Sequence, residues 1–241
     1  MKNEKTLNKY AVDLREKLGL SITEPIKIIP PLLSNLSELT LVFTPMADTS
    51  GLCINDGDIQ IIGINSNLRK GRLRFTLAHE LYHLLIEKTT GEPIICNNFI
   101  KNDSEIEADS FASYFLMPNE GLDYYETVNN INNWDLPSII YAEQYFQISH
   151  DAFLVRLEKR KKLSKRDKNL FSNVAITSEA KKLNLSIGLY LPTQWENENI
   201  VLGNYLERIK FLDSHNALKR GKKRKLLLDG FKWDLVFNIE K

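Results

Sequence analysis

Cysteine is nearly absent from this chain of 241 residues: only Cys53 and Cys96 are present, and two thiols cannot make a disulfide framework. No apolar run approaches the roughly 18–20 residues that a membrane-spanning helix needs. The opening Met1-Lys2-Asn3-Glu4-Lys5 leads into no apolar segment, so no signal peptide is expected. Reduced thiols and no export signal make a cytoplasmic protein with no membrane association the expectation. Glycine (11) and proline (8) are too sparse for a collagenous or low-complexity chain. With 43% hydrophobic and 26% charged residues, the chain is of ordinary globular composition and long enough to bury a core.

A single sign of charge is missing overall, since the net charge is only +1, yet the two signs are segregated. Residues 1–150 carry 12 Lys and Arg against 20 Asp and Glu, whereas residues 151–241 carry 20 against 11. An acidic body with a basic tail points to nucleic acid, to an acidic partner, or to a solvated lysine-rich surface.

Apolar spacing predicts a helix over Asn8 to Leu18, stopped by Gly19. Pro25, Pro30 and Pro31 then mark residues 20–37 as loop and turns. Strands are expected at 39–43, 50–55 and 58–64. The last two flank Asp56-Gly57, a hairpin signal because that turn needs positive φ. Together they predict an antiparallel sheet of about three strands. Arg69 to Glu87 reads as a long helix with a leucine stripe, and 90–103 as loop. Ser104 to Met117 reads as a second helix, capped by Ser104 and stopped by Pro118. Shorter helices follow at 137–146 and 150–160, then a basic linker at 159–168. The remainder is expected to hold a turn-rich stretch (188–199), a helix from Val201 to Leu212, the basic run 219–225 and an aromatic end, Phe231, Trp233 and Phe237.

The first strong helix contains His79-Glu80-Leu81-Tyr82-His83. Histidines at i and i+4 share a helix face one turn apart, so both imidazoles can reach one ion. Glu80, beside them, is placed to act on a water that the metal activates. The helix is apolar around the motif, and burying two imidazoles and a carboxylate requires a partner. A catalytic zinc takes three protein ligands and keeps an open position. The extended three-histidine spacing is absent, so the third ligand is sought in Glu105-Ile106-Glu107-Ala108-Asp109. Glu105 and Asp109 share a face and Glu107 does not. Glu105 therefore fits as the carboxylate ligand, with Asp109 accepting a histidine N–H and fixing its tautomer. A set of two histidines and one glutamate suits zinc (Zn2+) best among divalent metals. Cys96, in the intervening loop, is either a fourth ligand or an idle thiol.

These residues carry a resemblance. The stretch Arg74-Phe75-Thr76-Leu77-Ala78-His79-Glu80-Leu81-Tyr82-His83-Leu84-Leu85 continues with Glu105-Ile106-Glu107-Ala108-Asp109-Ser110-Phe111-Ala112 and ends in Leu116-Met117-Pro118. It resembles the ImmA/IrrE metallo-endopeptidases. The preceding hairpin fits that family, and 142–149 resembles its helix-turn-helix-like ending, so the likeness covers about residues 5–165. It implies an α+β, zincin-like metallopeptidase core (1–132) with a small antiparallel sheet, an active-site helix, and helix-turn-helix-like closing helices (133–165). The basic region 166–241 is left as an appendage. It further implies His79, His83 and Glu105 as zinc ligands and Glu80 as general base. The implied substrate is an intracellular protein, a transcriptional repressor of a mobile or phage-borne element or of a stress response. Tyr82 stands where the family often has Gly; its bulk would narrow the cleft, or its hydroxyl would serve an oxyanion.

Peptide hydrolysis needs a donor for the oxyanion, and Tyr114, His150 and Arg72 are candidates. The edge of the hairpin could hold an extended substrate by strand addition. A different class of function is a zinc-containing antirepressor or DNA-binding regulator that acts without proteolysis, or a toxin–antitoxin component. Its contacts with nucleic acid or an acidic partner would come from Arg156, Lys159, Arg160, Lys161, Lys162, Lys219, Arg220, Lys222, Lys223 and Arg224. Against it, 137–157 has a core-like apolar pattern, and a purely structural zinc site has no use for Glu80.

Overall fold

The computed structural model describes residues 2–56, 60–88, 94–96, 102–230 and 236. Its centre is a sheet that begins with β1 (Leu39–Thr44), β2 (Gly51–Asn55) and β3 (Gln60–Asn65). Alternation explains β1: Leu39, Leu41 and Phe43 are all buried on one face. β2 and β3 pair antiparallel from Gly51↔Ile64 to Asn55↔Gln60, as the hairpin signal predicts, although Gly57 lies outside the described residues.

The expected three-stranded antiparallel sheet is corrected to a mixed sheet of five strands, ordered β4-β2-β3-β1-β5. β1 runs parallel to β3. β4 (Ile94–Cys96), in a stretch expected to be loop, pairs with β2 from Gly51↔Cys96 to Cys53↔Ile94. It thereby covers the hairpin edge on which strand addition was expected. β5 (Ile200–Gly203) replaces the start of the helix expected from Val201 and pairs antiparallel with β1. Gly203, at φ +104°, brings its Cα so close to Leu39 that a Cβ would lie 2.5 Å from the Leu39 carbonyl oxygen. Only glycine fits there.

Helices enclose the sheet. α1 (Glu4–Lys17) is capped by Asn3, whose side chain accepts from Thr6 N–H, and ends before Gly19 at φ +66°. α2 (Ile29–Asn35) occupies part of the expected loop; Pro30 and Pro31 fall in its first turn, where a missing N–H costs nothing. α3 (Lys70–Leu81) packs on β2 and β3 and, with α1, against α4 (Asp103–Leu116). α5 (Asn119–Val128), α6 (Leu136–Phe146) and α7 (His150–Lys159) follow. The apolar faces of α6 and α7 (Ile139, Ala142, Phe146, Phe153, Leu154 and Leu157) lie in the same core as the sheet.

The first forty positions from residue 166 pack on the preceding helices and the sheet. α8 (Lys165–Ser172) packs on α7, and Ala180 of α9 (Ile176–Lys182) packs with Leu189, Tyr190 and Ile140 of α6. Leu191 C=O accepts from Lys70 N–H at 2.8 Å, and Trp195 packs on Phe43 with ring centroids 4.8 Å apart. α10 (Tyr205–Ser214) and α11 (Arg220–Asp229) pack on each other beyond β5. The aromatic end, Phe231, Trp233 and Phe237, lies outside the described residues.

One buried cation ties the loops to this frame. Arg15 is fully buried and donates to the carbonyls of Ser21 (2.6 Å), Glu24 (2.5 Å) and Phe115 (2.8 Å). Arg15→Leu strands these acceptors, so chemical denaturation is expected to show a loss of roughly 2–4 kcal/mol in unfolding free energy.

Candidate functional site

α3 is buried nearly all round, from Leu73 through Leu81, as a helix in the middle of a core must be. It runs into a π-helical turn, Tyr82–Glu87, which ends at Lys88 in the left-handed region (φ 55°). Such turns are rare and concentrate at functional sites. α4 begins at Asn102, whose side chain accepts from Glu105 N–H at 2.9 Å. Ser104, expected to be the cap, instead donates to Glu87 Oε1 at 2.7 Å.

The two helices bring His79, His83 and Glu105 together. The Nε2 atoms of His79 and His83 are 3.2 Å apart. Glu105 places Oε2 3.3 Å from His79 Nε2 and Oε1 3.4 Å from His83 Nε2. Each imidazole is oriented from behind: His79 Nδ1 is 2.9 Å from Asp109 Oδ1, and His83 Nδ1 is 2.6 Å from Glu87 Oε2. With both Nδ1 atoms facing carboxylates, both Nε2 lone pairs are free to point at a common centre. The ligand atoms of the three residues lie within 4.8 Å of one another, so the donor set fits a divalent metal. Glu87 and Ser104 are additions to the set read from sequence. Glu87 was visible there as the residue one turn after His83.

The electrostatics follow from crowding. Burial alone would lower His79, but the Asp109 and Glu105 carboxylates outweigh it and raise the imidazole to about 9. Burial would raise Glu105, yet the two imidazoles hold it at about 2. Burial likewise opposes, and the Glu105 and Glu87 carboxylates still produce, a raised His83. The cluster is a proton-sharing arrangement that a cation would replace.

Glu80 is fully buried beside this centre. Gly51 of β2 makes room for it: a Cβ at 51 would lie 2.5 Å from Glu80 Oε1 and 2.7 Å from Thr76 Cγ2. Gly51→Ala is therefore expected to displace the Glu80 carboxylate and to cost about 1–3 kcal/mol of unfolding free energy in chemical denaturation, with metal content unchanged in elemental analysis.

Tyr82 neither narrows the cleft nor serves it. It is fully buried on the other side of the helix, donating to Glu107 Oε2 and accepting from Lys2 Nζ at 2.8 Å. Glu107 also accepts from Lys2 Nζ at 2.7 Å. Burial would raise Glu107, but Lys2 and Tyr82 outweigh it and hold the carboxyl at about 2, against an ordinary 4.5. A depressed carboxyl stabilises the fold above its unfolded value and loses that contribution as pH falls through its folded value. Thermal melts are thus expected to weaken from about pH 4.5 down to about pH 2. Glu107→Gln makes that part of the profile shallower and leaves the share of Glu105, also held at about 2.

A cleft of about 880 Å³ opens from the centre. His79, Glu105 and Asp109 line it, as do Arg72, Phe75, His150 and Lys159. The three oxyanion candidates separate. Tyr114 is buried outside the cleft, under the Arg156 guanidinium at 4.0 Å from its ring centroid. His150 lines the cleft, but Nδ1 faces Glu143 at 2.6 Å and Nε2 faces the Phe171 carbonyl at 3.0 Å. It also follows Ser149, the N-cap of α7, which meets α3 at Gly71, where a Cβ would lie 3.0 Å from Ser149. That contact is about 12 Å along the helix from His79 at 1.5 Å per residue. Arg72 lines the cleft about two turns from His79. Cys53 is buried, which pushes its thiol up to about 12, and the Cys96 side chain lies outside the described residues.

The basic candidates also separate. Arg156 is buried, donating to Asn119 Oδ1 at 2.6 Å, so it is corrected from a surface contact to a core residue. Lys159 bonds Ser110, Arg160 pairs with Asp123, Lys162 with Glu126 and Lys223 with Asp213. Lys161, Lys219, Arg220, Lys222 and Arg224 are exposed. No helix among the described residues is long and apolar enough to cross a membrane.

No curated protein matches the chain. A solved structure, a Mycobacterium tuberculosis transcriptional regulator, is similar at 16% identity and a TM-score of 0.46, over 64% of this chain and 46% of that one. The chain thus spans less than half of that protein. Residues 39–158, which hold β1–β3, both ligand helices and nearly all of α7, match the peptidase family described as the IrrE N-terminal-like domain. This segment of the chain belongs to that family, the one its histidine helix and second acidic helix resemble.

Proposed function

We propose that the protein is a zinc-dependent endopeptidase acting in the cytoplasm on a regulatory protein, with a transcriptional repressor as the favoured substrate. The observation that carries this reading is the convergence of His79, His83 and Glu105 at one end of an open cleft, with Glu80 buried alongside. The chemistry that zinc supplies at such a donor set is Lewis acidity toward a carbonyl oxygen and acidification of water. His79, His83 and Glu105 would hold the metal, the imidazoles through Nε2 with Asp109 and Glu87 fixing their tautomers. Glu80 accepts a proton from the attacking water as the new C–O bond forms. It returns that proton to the amine nitrogen as the C–N bond breaks.

The test compares new protein N-termini in cells that express the wild type or Glu80→Gln, with and without DNA damage. A discrete cut in a transcriptional regulator, absent with Glu80→Gln, is the expected result. Equal N-termini from both, with zinc bound to both, would favour the regulator that acts by binding.

A further inference from the structure

The far end of the cleft is built in part by residues outside the matched segment. Ile176, Leu189 and Tyr190 line it together with Ala152 and Val155 of α7. The segment that carries them is held across the mouth of the domain by polar ties at both ends. The Phe171 carbonyl faces His150, Tyr190 Oη donates to Glu143 Oε2 at 2.9 Å, and Gln144 Nε2 donates to the Ser186 carbonyl at 2.9 Å. Leu191 is tied to Lys70 N–H, and Arg69 bridges Pro192. The Tyr190 hydroxyl is engaged by Glu143, so what the segment gives the cleft is an aliphatic and aromatic surface. Leu189 (3% exposed) and Tyr190 (4%) are buried, whereas Val155 on the facing helix is 38% exposed and Ile176 is half-buried, so Ile176 and Val155 are the accessible part of this surface.

Its distance from the metal-ligand cluster sets its role. Leu191 meets α3 at Lys70, and His79 lies nine residues further along, about 13 Å at 1.5 Å per residue. An extended peptide covers that distance in about four residues. The wall and the cluster line one continuous cleft, so a chain with its scissile bond at the cluster runs directly onto the wall.

We propose that residues 176–190 form a specificity subsite that takes an apolar side chain three to four residues from the scissile bond of the substrate. The proposal rests on the peptidase reading above and names the substrate class for it.

The test uses the full chain and a proteome-derived peptide library. In the cleavage arm, the wild type enriches an apolar residue at one position three or four from the cut. Ile176→Glu shifts that preference to Lys or Arg and lowers kcat/KM on an apolar peptide about tenfold, through KM, with metal content unchanged. Ile176→Ala, the milder change, weakens the preference and carries the test should the charge unfold the segment. Leu170→Ala, an exposed apolar residue outside the cleft, leaves the profile as it was. In the binding arm, immobilised Glu80→Gln enriches the same apolar peptides, and the Glu80→Gln/Ile176→Glu double variant does not. A wild type that cuts nothing, beside a binding arm that still depends on Ile176, overturns the hydrolytic reading and leaves the subsite standing. Preferences that do not respond to either Ile176 variant in a folded protein overturn the subsite.

Discussion

Glu80→Gln is expected to lower peptide hydrolysis by about 10³–10⁴-fold while the protein keeps one metal ion and its melting temperature. The substitution is nearly isosteric and preserves the packing under Gly51; it removes the proton acceptor together with the negative charge that Glu80 sets beside His79 and His83. Glu80 is absent from the group of three side chains that converge on a common centre. Metal content measured by mass spectrometry should therefore match the wild type. A loss of metal in this variant would instead make Glu80 a ligand and shift the general base elsewhere. The fall is expected in kcat more than in KM, since the proton moves in the transition state and not on binding.

Replacing a ligand has the second-largest expected effect and a different signature. Glu105→Ala removes the one carboxylate that bridges both imidazoles, at 3.3 Å and 3.4 Å. The variant is expected to lose both metal and hydrolysis. Asp109→Ala and Glu87→Ala, which act through the histidines, are expected to weaken metal affinity by about 10–100-fold and to recover activity at higher metal concentration. In the metal-free protein His79 sits at about 9, so metal must displace a proton at neutral pH. The apparent affinity should therefore rise with pH by about tenfold per unit between pH 6 and 8. Asp109→Asn removes the anionic partner of Nδ1 and should make that dependence shallower.

The centre of the site was legible because its geometry is local. His79 and His83 are one helical turn apart, and Glu105 and Asp109 are one turn apart, so the helix period alone places each pair on one face. Glu87 obeys the same period and needed only a count of four from His83. The fold around the site was less legible because its decisive contacts are distant in sequence. Nothing within 39–65 says that β1 lies parallel to β3, and β5 joins β1 from some 160 residues away. The clue to β5 was Gly203 at the end of Ile200-Val201-Leu202, two β-branched residues and a leucine before a glycine that admits close backbone approach. The proline pair in α2 reads as a breaker in the sequence, although prolines in a first turn are compatible with a helix. No local pattern announced that Ile176, Leu189 and Tyr190 would line the cleft. Their positions are set by a buried hub, Glu143 with His150 and Tyr190, assembled from three separate segments.

Arg156 shows why charge counts mislead at the level of single residues. It lies in the basic half of the chain, yet it is buried over Tyr114 and serves the core. The exposed basic residues that remain at the C-terminal end cluster on α11 and just before it, away from the metal-ligand cluster in sequence and in packing.

The most direct test of a metal-dependent peptidase is reconstitution. Protein stripped with a chelator is titrated with zinc while cleavage of a peptide selected from the library is followed. Activity that is absent in the stripped protein and returns in proportion to zinc, levelling at one equivalent per chain, is the predicted result. Cleavage that survives complete removal of metal, or one equivalent of bound zinc with no cleavage of any library peptide, would contradict the account.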